Sequence, residues 1–235
     1  MKEHIVSSYD AELEYLGQRI AEMGGIAEKM LVDAMESLAT FDTALARDTI
    51  ATDPTLDRLQ QDIEDHVVLT IAKRQPMAVD LRALVGAMRI AGDLERVGDL
   101  AKNIAKRTIE IASDARIPRA TINLRHMGHV AARQLKNILD AYAARDPEKA
   151  HEVWLRDAEL DAIEDSIFRE LLTFMMEDPR NISFCTHLLF CSKNIERIGD
   201  HATNIAETIY YVATGENLPL DRPKSVAENG SVTIV

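Results

Sequence analysis

The sequence is poor in residues that interrupt helices, with 7 Pro and 10 Gly among 235. Aromatics are scarce as well, at 5%, while Ala, Leu, Ile, Met, Glu and Arg abound, which leaves little for a β-fold and points to an all-α chain. Only two cysteines occur, Cys185 and Cys191. Six positions apart on one helix they point in different directions, which excludes a mutual disulfide and a C-x-x-C metal or redox pair. No uninterrupted apolar run reaches the roughly 18 residues that would cross a bilayer. The opening Met1-Lys2-Glu3-His4 begins no signal-peptide core. The expected location is cytoplasmic, with any membrane association made through a partner. Basic residues are short, 27 against 39 acidic, for a net charge of -12. Nucleic acid is a poor partner for such a surface; cations and basic protein surfaces are better ones.

What is present is helical periodicity. It predicts six long helices, over residues 9–41, 43–74, 79–113, 119–144, 147–177 and 182–214. Asp42 and Asp146-Pro147 offer N-caps, and Gln75-Pro76, Ile117-Pro118 and Asp178-Pro179-Arg180 mark breaks. Gly24-Gly25 weakens the first helix locally. Pro54 falls inside the second, where a kink is expected. After Gly215 the sequence turns polar, so residues 215–235 read as a mobile tail.

The chain also repeats itself. Glu95-Arg96-Val97-Gly98-Asp99-Leu100-Ala101-Lys102-Asn103-Ile104-Ala105 returns as Glu196-Arg197-Ile198-Gly199-Asp200-His201-Ala202-Thr203-Asn204-Ile205-Ala206, with eight of eleven positions identical. A constant offset pairs Met23-Gly24 with Met127-Gly128, Asp42 with Asp146, Asp53 with Asp157 and Asp57 with Asp161. The motif copies sit at a slightly shorter offset, so the two halves differ in the link before their third helix. The expected architecture is two tandem three-helix bundles, residues 8–113 and 117–214, with helices of about 30 residues forming rods roughly 45 Å long.

At about 100° per residue, Glu95, Asp99 and Asn103 share one stripe, opposite Leu94, Val97, Gly98, Ala101 and Ile104. Glu196, Asp200 and Asn204 repeat it, with Glu207 on the same face. The second helix of each half adds a matched pair, Asp53 with Asp57 and Asp157 with Asp161. Acid runs on exposed helix faces are commonly just solvated, and Arg96 and Arg197 are expected to pair with neighbouring carboxylates. But these stripes place another acid where a solvated face usually has Lys or Arg at i+4, and they do so on two helices of both halves. A bridging cation removes the repulsion; Asp, Glu and Asn oxygens suit Mg, Mn, Fe or Ca, and Zn with less preference. Lys102 and Lys106 stand beside the first stripe where the second has Thr203 and Glu207, so the second site is expected to hold metal more tightly. His201 lies off the carboxylate stripe. Glu148 and His151 form a single E-x-x-H, short of the two copies that di-iron bundle chemistry needs. An alternative reading, a carboxylate-bridged di-metal oxidase or hydrolase, therefore lacks parts, and no nucleophile or base lies near the stripes.

Two three-helix repeats, each with D-x-x-x-D on the second helix and E-R-[IV]-G-D-x-A-x-N-I on the third, resemble the PhoU family. Asp178-Pro179-Arg180 and the run Ile198 to Glu207 are also similar to its pattern. The resemblance implies a cytoplasmic non-enzyme that represses the phosphate-starvation regulon when phosphate is plentiful. It implies two partners, the ATPase subunit of the phosphate transporter and the sensor histidine kinase of the regulon. It implies metal clusters of Fe, Zn, Mn or Mg at Glu95, Asp99, Asp53, Asp57, Glu196, Asp200, Asp157 and Asp161, with Asn103 and Asn204 beside them. Pro54, Lys102 and Lys106 are departures in the first copy. Pairing of two copies as a homodimer is a further expectation.

Overall fold

The computed structural model describes residues 2–114, 121–156 and 158–219. The Ile117-Pro118 link and residues 220–235 of the expected tail lie outside them. The helices are α1 (Lys2–Thr40), α2 (Thr43–Arg74), α3 (Val79–Ile111), α4 (Thr121–Ala144), α5 (Pro147–Leu155), α6 (Ala158–Glu177) and α7 (Ile182–Thr214). No strand occurs among the described residues.

The turns repeat as the helices do. Phe41 and Arg145 both adopt a left-handed backbone, at φ 56° and 51°, and each is followed by an aspartate N-cap. The Asp42 carboxylate accepts from the backbone N–H of Ala44 and Leu45, and that of Asp146 from Glu148 and Lys149. Each cap satisfies helix N–H groups that have no partner within the helix. The same corner thus folds the first helix back on the second in both halves.

As expected, α2 continues through Pro54 as one helix, with that residue exposed. Burial of Leu56, Leu59 and Ile63 just beyond it, at about 1.5–3 kcal/mol for each large side chain, outweighs the ~3 kcal/mol cost of an interior proline. The break falls instead in the other half. The helix expected over 147–177 is two, because Arg156 turns to φ -94° and ψ 3° and its carbonyl accepts from the Gln134 side chain (3.1 Å) and the Glu159 N–H (3.1 Å).

Helix three of each half, α3 and α7, pack against each other, as do α1 and α4. One apolar core therefore runs through both halves, from Leu16 and Ile20 of α1 to Ile205 and Ile209 of α7. Gly24 shows how closely the first helices approach: a Cβ there would meet Leu139 Cδ2 at 2.4 Å, and one at the repeat-related Gly128 would meet Met35 at 2.7 Å. The two contacts exchange under the repeat, so the α1–α4 interface is a pseudo-two-fold one. Gly24 is thus a packing requirement, while a Cβ on Gly25 would meet nothing within 4 Å.

Candidate metal centre

The motif glycine brings each acidic helix pair together. A Cβ on Gly98 would lie 2.2 Å from Leu56 Cδ1, and one on Gly199 would lie 2.3 Å from Leu160 Cδ1. Leu56 and Leu160 are repeat-related and buried. Only glycine lets helix two lie this close to helix three, which carries the D-x-x-x-D acids beside the E-x-x-x-D acids.

The apolar side is as the spacing predicts: Leu94, Val97, Ala101 and Ile104 are buried, and so are Ile198, Ala202 and Ile205. The acids are less outward than their angles imply. The Glu95 side chain is only 15% exposed and that of Glu196 only 14%, because helix two covers them.

In the first half, Lys102 occupies the place between the pairs. Its ammonium donates to Asp53 Oδ2 (2.7 Å) and Asp99 Oδ1 (2.5 Å), tying α2 to α3. Arg96 lies 3.4 Å from Glu95 Oε2 and 3.2 Å from Asp99 Oδ2. Burial works against the Asp99 charge, but the Lys102 hydrogen bond and charge outweigh it and hold this carboxyl below its ordinary value. Glu95 moves up, through burial and then the Asp99 charge. Asp57 and Asn103 stand exposed.

The second half has no counterpart of that lysine. Thr203 is buried, and its hydroxyl donates to the Gly199 carbonyl of its own helix (3.1 Å). Lys193 binds Glu196 Oε1 from the solvent side (2.7 Å), while Glu196 Oε2 is buried with no hydrogen-bond partner. Asp161 and Asp200 are both raised, by burial first and then by the charge of Glu196. Glu164, which the repeat pattern left unmatched, joins them: it too is raised by burial, with Lys193 opposing and Glu196 adding to the shift. Its counterpart in the first half is Gln60, so the repeat carries no signal for it, and packing puts it within the influence of the Glu196 charge. Asp157 lies outside the described residues. Arg197, expected to pair with a carboxylate, makes no ion pair among the described residues, and it is exposed.

Asn204 leaves the second stripe for the other half. It donates to Asp93 Oδ1 of α3 (3.4 Å), which His201 Nδ1 also approaches at 2.9 Å. Because α3 and α7 lie side by side, Glu95 and Asn204, from different motif copies, line one groove of about 460 Å³. Asp93 sits just before the motif in sequence and carries no repeat signal, since its counterpart is Asn194. Glu207 accepts from Trp154 Nε1 (3.1 Å). His151 of the E-x-x-H pair packs its ring on Trp154.

Among the described residues, no three His, Cys, Asp or Glu side chains converge as a formed metal cage. The donor sets nonetheless differ in fit. In the first half an ammonium already neutralises the pair. In the second, an orphaned buried oxygen stands among carboxyls that hold their protons more tightly than usual, and their hard oxygen donors are the type that suits a divalent cation.

A model of the PhoU domain matches residues 20–108 and again 124–209, one match per half. The Rhizobium meliloti "phosphate-specific transport system accessory protein PhoU homolog" is 58% identical over 98% of both chains. Its Caulobacter vibrioides namesake is 50% identical over 95% of this chain and 97% of its own. The crystal structure of PhoU from Pseudomonas aeruginosa superimposes with a TM-score of 0.86 at 36% identity, covering 88% of this chain and all of that one. With the twofold match to the domain, the duplicated acidic helix pairs and the shared fold, this chain belongs to the PhoU family.

Proposed function

We propose that the chain is a cytoplasmic, metal-binding regulator of phosphate uptake and phosphate-starvation signalling. It couples a phosphate ABC transporter, through the ATPase subunit, to the sensor histidine kinase, and represses the regulon when phosphate is plentiful. Names among the relatives support the transport setting, one being an accessory protein of the phosphate-specific transport system and another a phosphate transport system regulatory protein. The observation that carries the metal part is Glu196 Oε2, buried and unpaired beside Asp161, Glu164 and Asp200. A cation drawn to that oxygen would offset the repulsion among these acids. We read the chain as an adaptor with no catalysis of its own, since His151 is engaged with Trp154 and not with the acids.

Elemental analysis of protein purified without chelator tests the metal reading. Fe, Zn, Mn or Mg should be present, and Glu196→Ala with Asp200→Ala should remove it while far-UV circular dichroism is unchanged. Equal metal in the double variant would count against the assignment. The adaptor reading predicts capture of the transporter ATPase and the kinase in phosphate-replete extracts, and no capture of either would sink it. Light scattering in solution reads whether two copies form the homodimer.

A further inference from the structure

Gln134 is a polar side chain in the middle of the core, 4% exposed, at the α4 position that repeats Met30 of α1. The equivalence is structural as well as sequential. Met30 Sδ lies 3.7 Å from where a Cβ on Gly98 would be, and Gln134 Oε1 lies 3.4 Å from the corresponding point on Gly199. One half thus sets a thioether against its motif glycine and the other an amide.

The amide has a specific employment. In an unbroken helix the Arg156 carbonyl would accept from the N–H four residues on, that of Leu160. Here it accepts from Gln134 Nε2 (3.1 Å) and from Glu159 N–H (3.1 Å), while Arg156 N–H turns back to Val153 O (3.0 Å). The core amide therefore satisfies a carbonyl that the helix break takes out of the i→i+4 pattern. In the first half, Met30 offers no such donor, and α2 stays continuous in spite of Pro54.

We propose that Gln134 is the positioning residue of the second-half carboxylate cluster: from inside the core it fixes the break between α5 and α6, so that α6 brings Asp161 and Glu164 to Glu196 independently of α5. This rests on the cation reading above and names what makes the second half the binding half. The α5 segment is anchored separately, by Trp154 to Glu207 (3.1 Å), so α6 is free to set its own register on α7. The side-chain amide of Gln134 donates to a backbone carbonyl and not to the carboxylates; it acts through the backbone of Arg156.

The test replaces Gln134 by the residue of the other half, Gln134→Met, in the full chain stripped of metal. Mn²⁺ titration should show a dissociation constant raised roughly tenfold, the loss typical of a group that orients ligands. Hydrogen exchange at the Glu159 amide should accelerate, and the emission of Trp154, the only tryptophan, should shift. Should the Met variant fail to fold, Gln134→Leu, of similar size and without a donor, is read in the same way. Unchanged Mn²⁺ affinity in a folded variant overturns the proposal. If Glu196→Ala with Asp200→Ala leaves Mn²⁺ binding intact, the cation reading falls by itself. The hold of Gln134 on the break is then judged by exchange alone, where an unchanged rate overturns it.

Discussion

The two halves begin from nearly the same eleven residues and end with opposite electrostatics. In the first, Lys102 reaches across to Asp53 and Asp99, and the acid pairs become an internal ion-pair clasp between α2 and α3. In the second, Thr203 bonds within its own helix, and burial, then the Glu196 charge, raises the proton affinity of Asp161 and Asp200. Within the motif, the residue at 102 and 203 separates the two outcomes: a lysine that crosses to α2 in one half and a threonine bonded to its own helix in the other. The comparison teaches that duplication preserves the placement of the acids, through Gly98 and Gly199, while their charge balance is free to diverge.

The largest break in this comparison should come from the glycines. Gly98→Val drives a branched side chain into buried Leu56 and should cost about 3 kcal/mol, read by urea denaturation. Gly199→Val meets Leu160 on the separate α6, which can shift, and should cost less. Equal losses would mean that the α5–α6 break confers no freedom.

Next is Lys102→Thr, which gives the first half the residue of the second. Asp53, only 9% exposed, then loses its counter-charge, and Asp99 keeps only the exposed Arg96 guanidinium. Stability should fall by about 2 kcal/mol, less than for a fully buried pair because the site is partly solvated. Added Mn²⁺ should restore much of the loss, and a variant indifferent to Mn²⁺ would show that position 102 does not control cation binding.

The smallest effects are pH-dependent and of opposite sign. Asp200 is raised in the folded state, mainly by burial. Its ionisation therefore opposes folding: the penalty is absent below the ordinary value of 3.8, grows as pH rises from there to the raised value, and is full above it. Asp200→Asn should therefore be more stable than the parent at neutral pH, by under about 1 kcal/mol, with the gap closing on acidification. Asp99 is lowered, so it stabilises above 3.8 and loses that contribution as pH falls through the folded value. Asp99→Asn should be less stable at neutral pH, again with a closing gap. Paired thermal melts between neutral and acid pH distinguish the signs.

Helix positions, the aspartate caps and the apolar side of both motif helices were legible in the sequence because they depend on residues near in the chain. Hydrophobic periodicity and N-cap chemistry act within one or two turns, and the repeat supplied each twice. Pro54 shows the limit of that locality: the strongest helix breaker in the chain lies inside an unbroken helix, while a helix without an interior proline breaks at Arg156. The reason is tertiary, a core amide from α4 in one case and burial of Leu56 in the other. The sites divide in the same way. Sequence alone determined that two sets of acids recur and that Lys102 stands beside only one. The antiparallel packing of α3 on α7 and of helix two on the motif glycine decided the rest: Lys102 closes the first set, Glu164 enters the second, and Asn204 crosses to Asp93. Those pairings join residues far apart in the chain, and their energies depend on burial and on which charge lies opposite, quantities that exist only once the helices are packed.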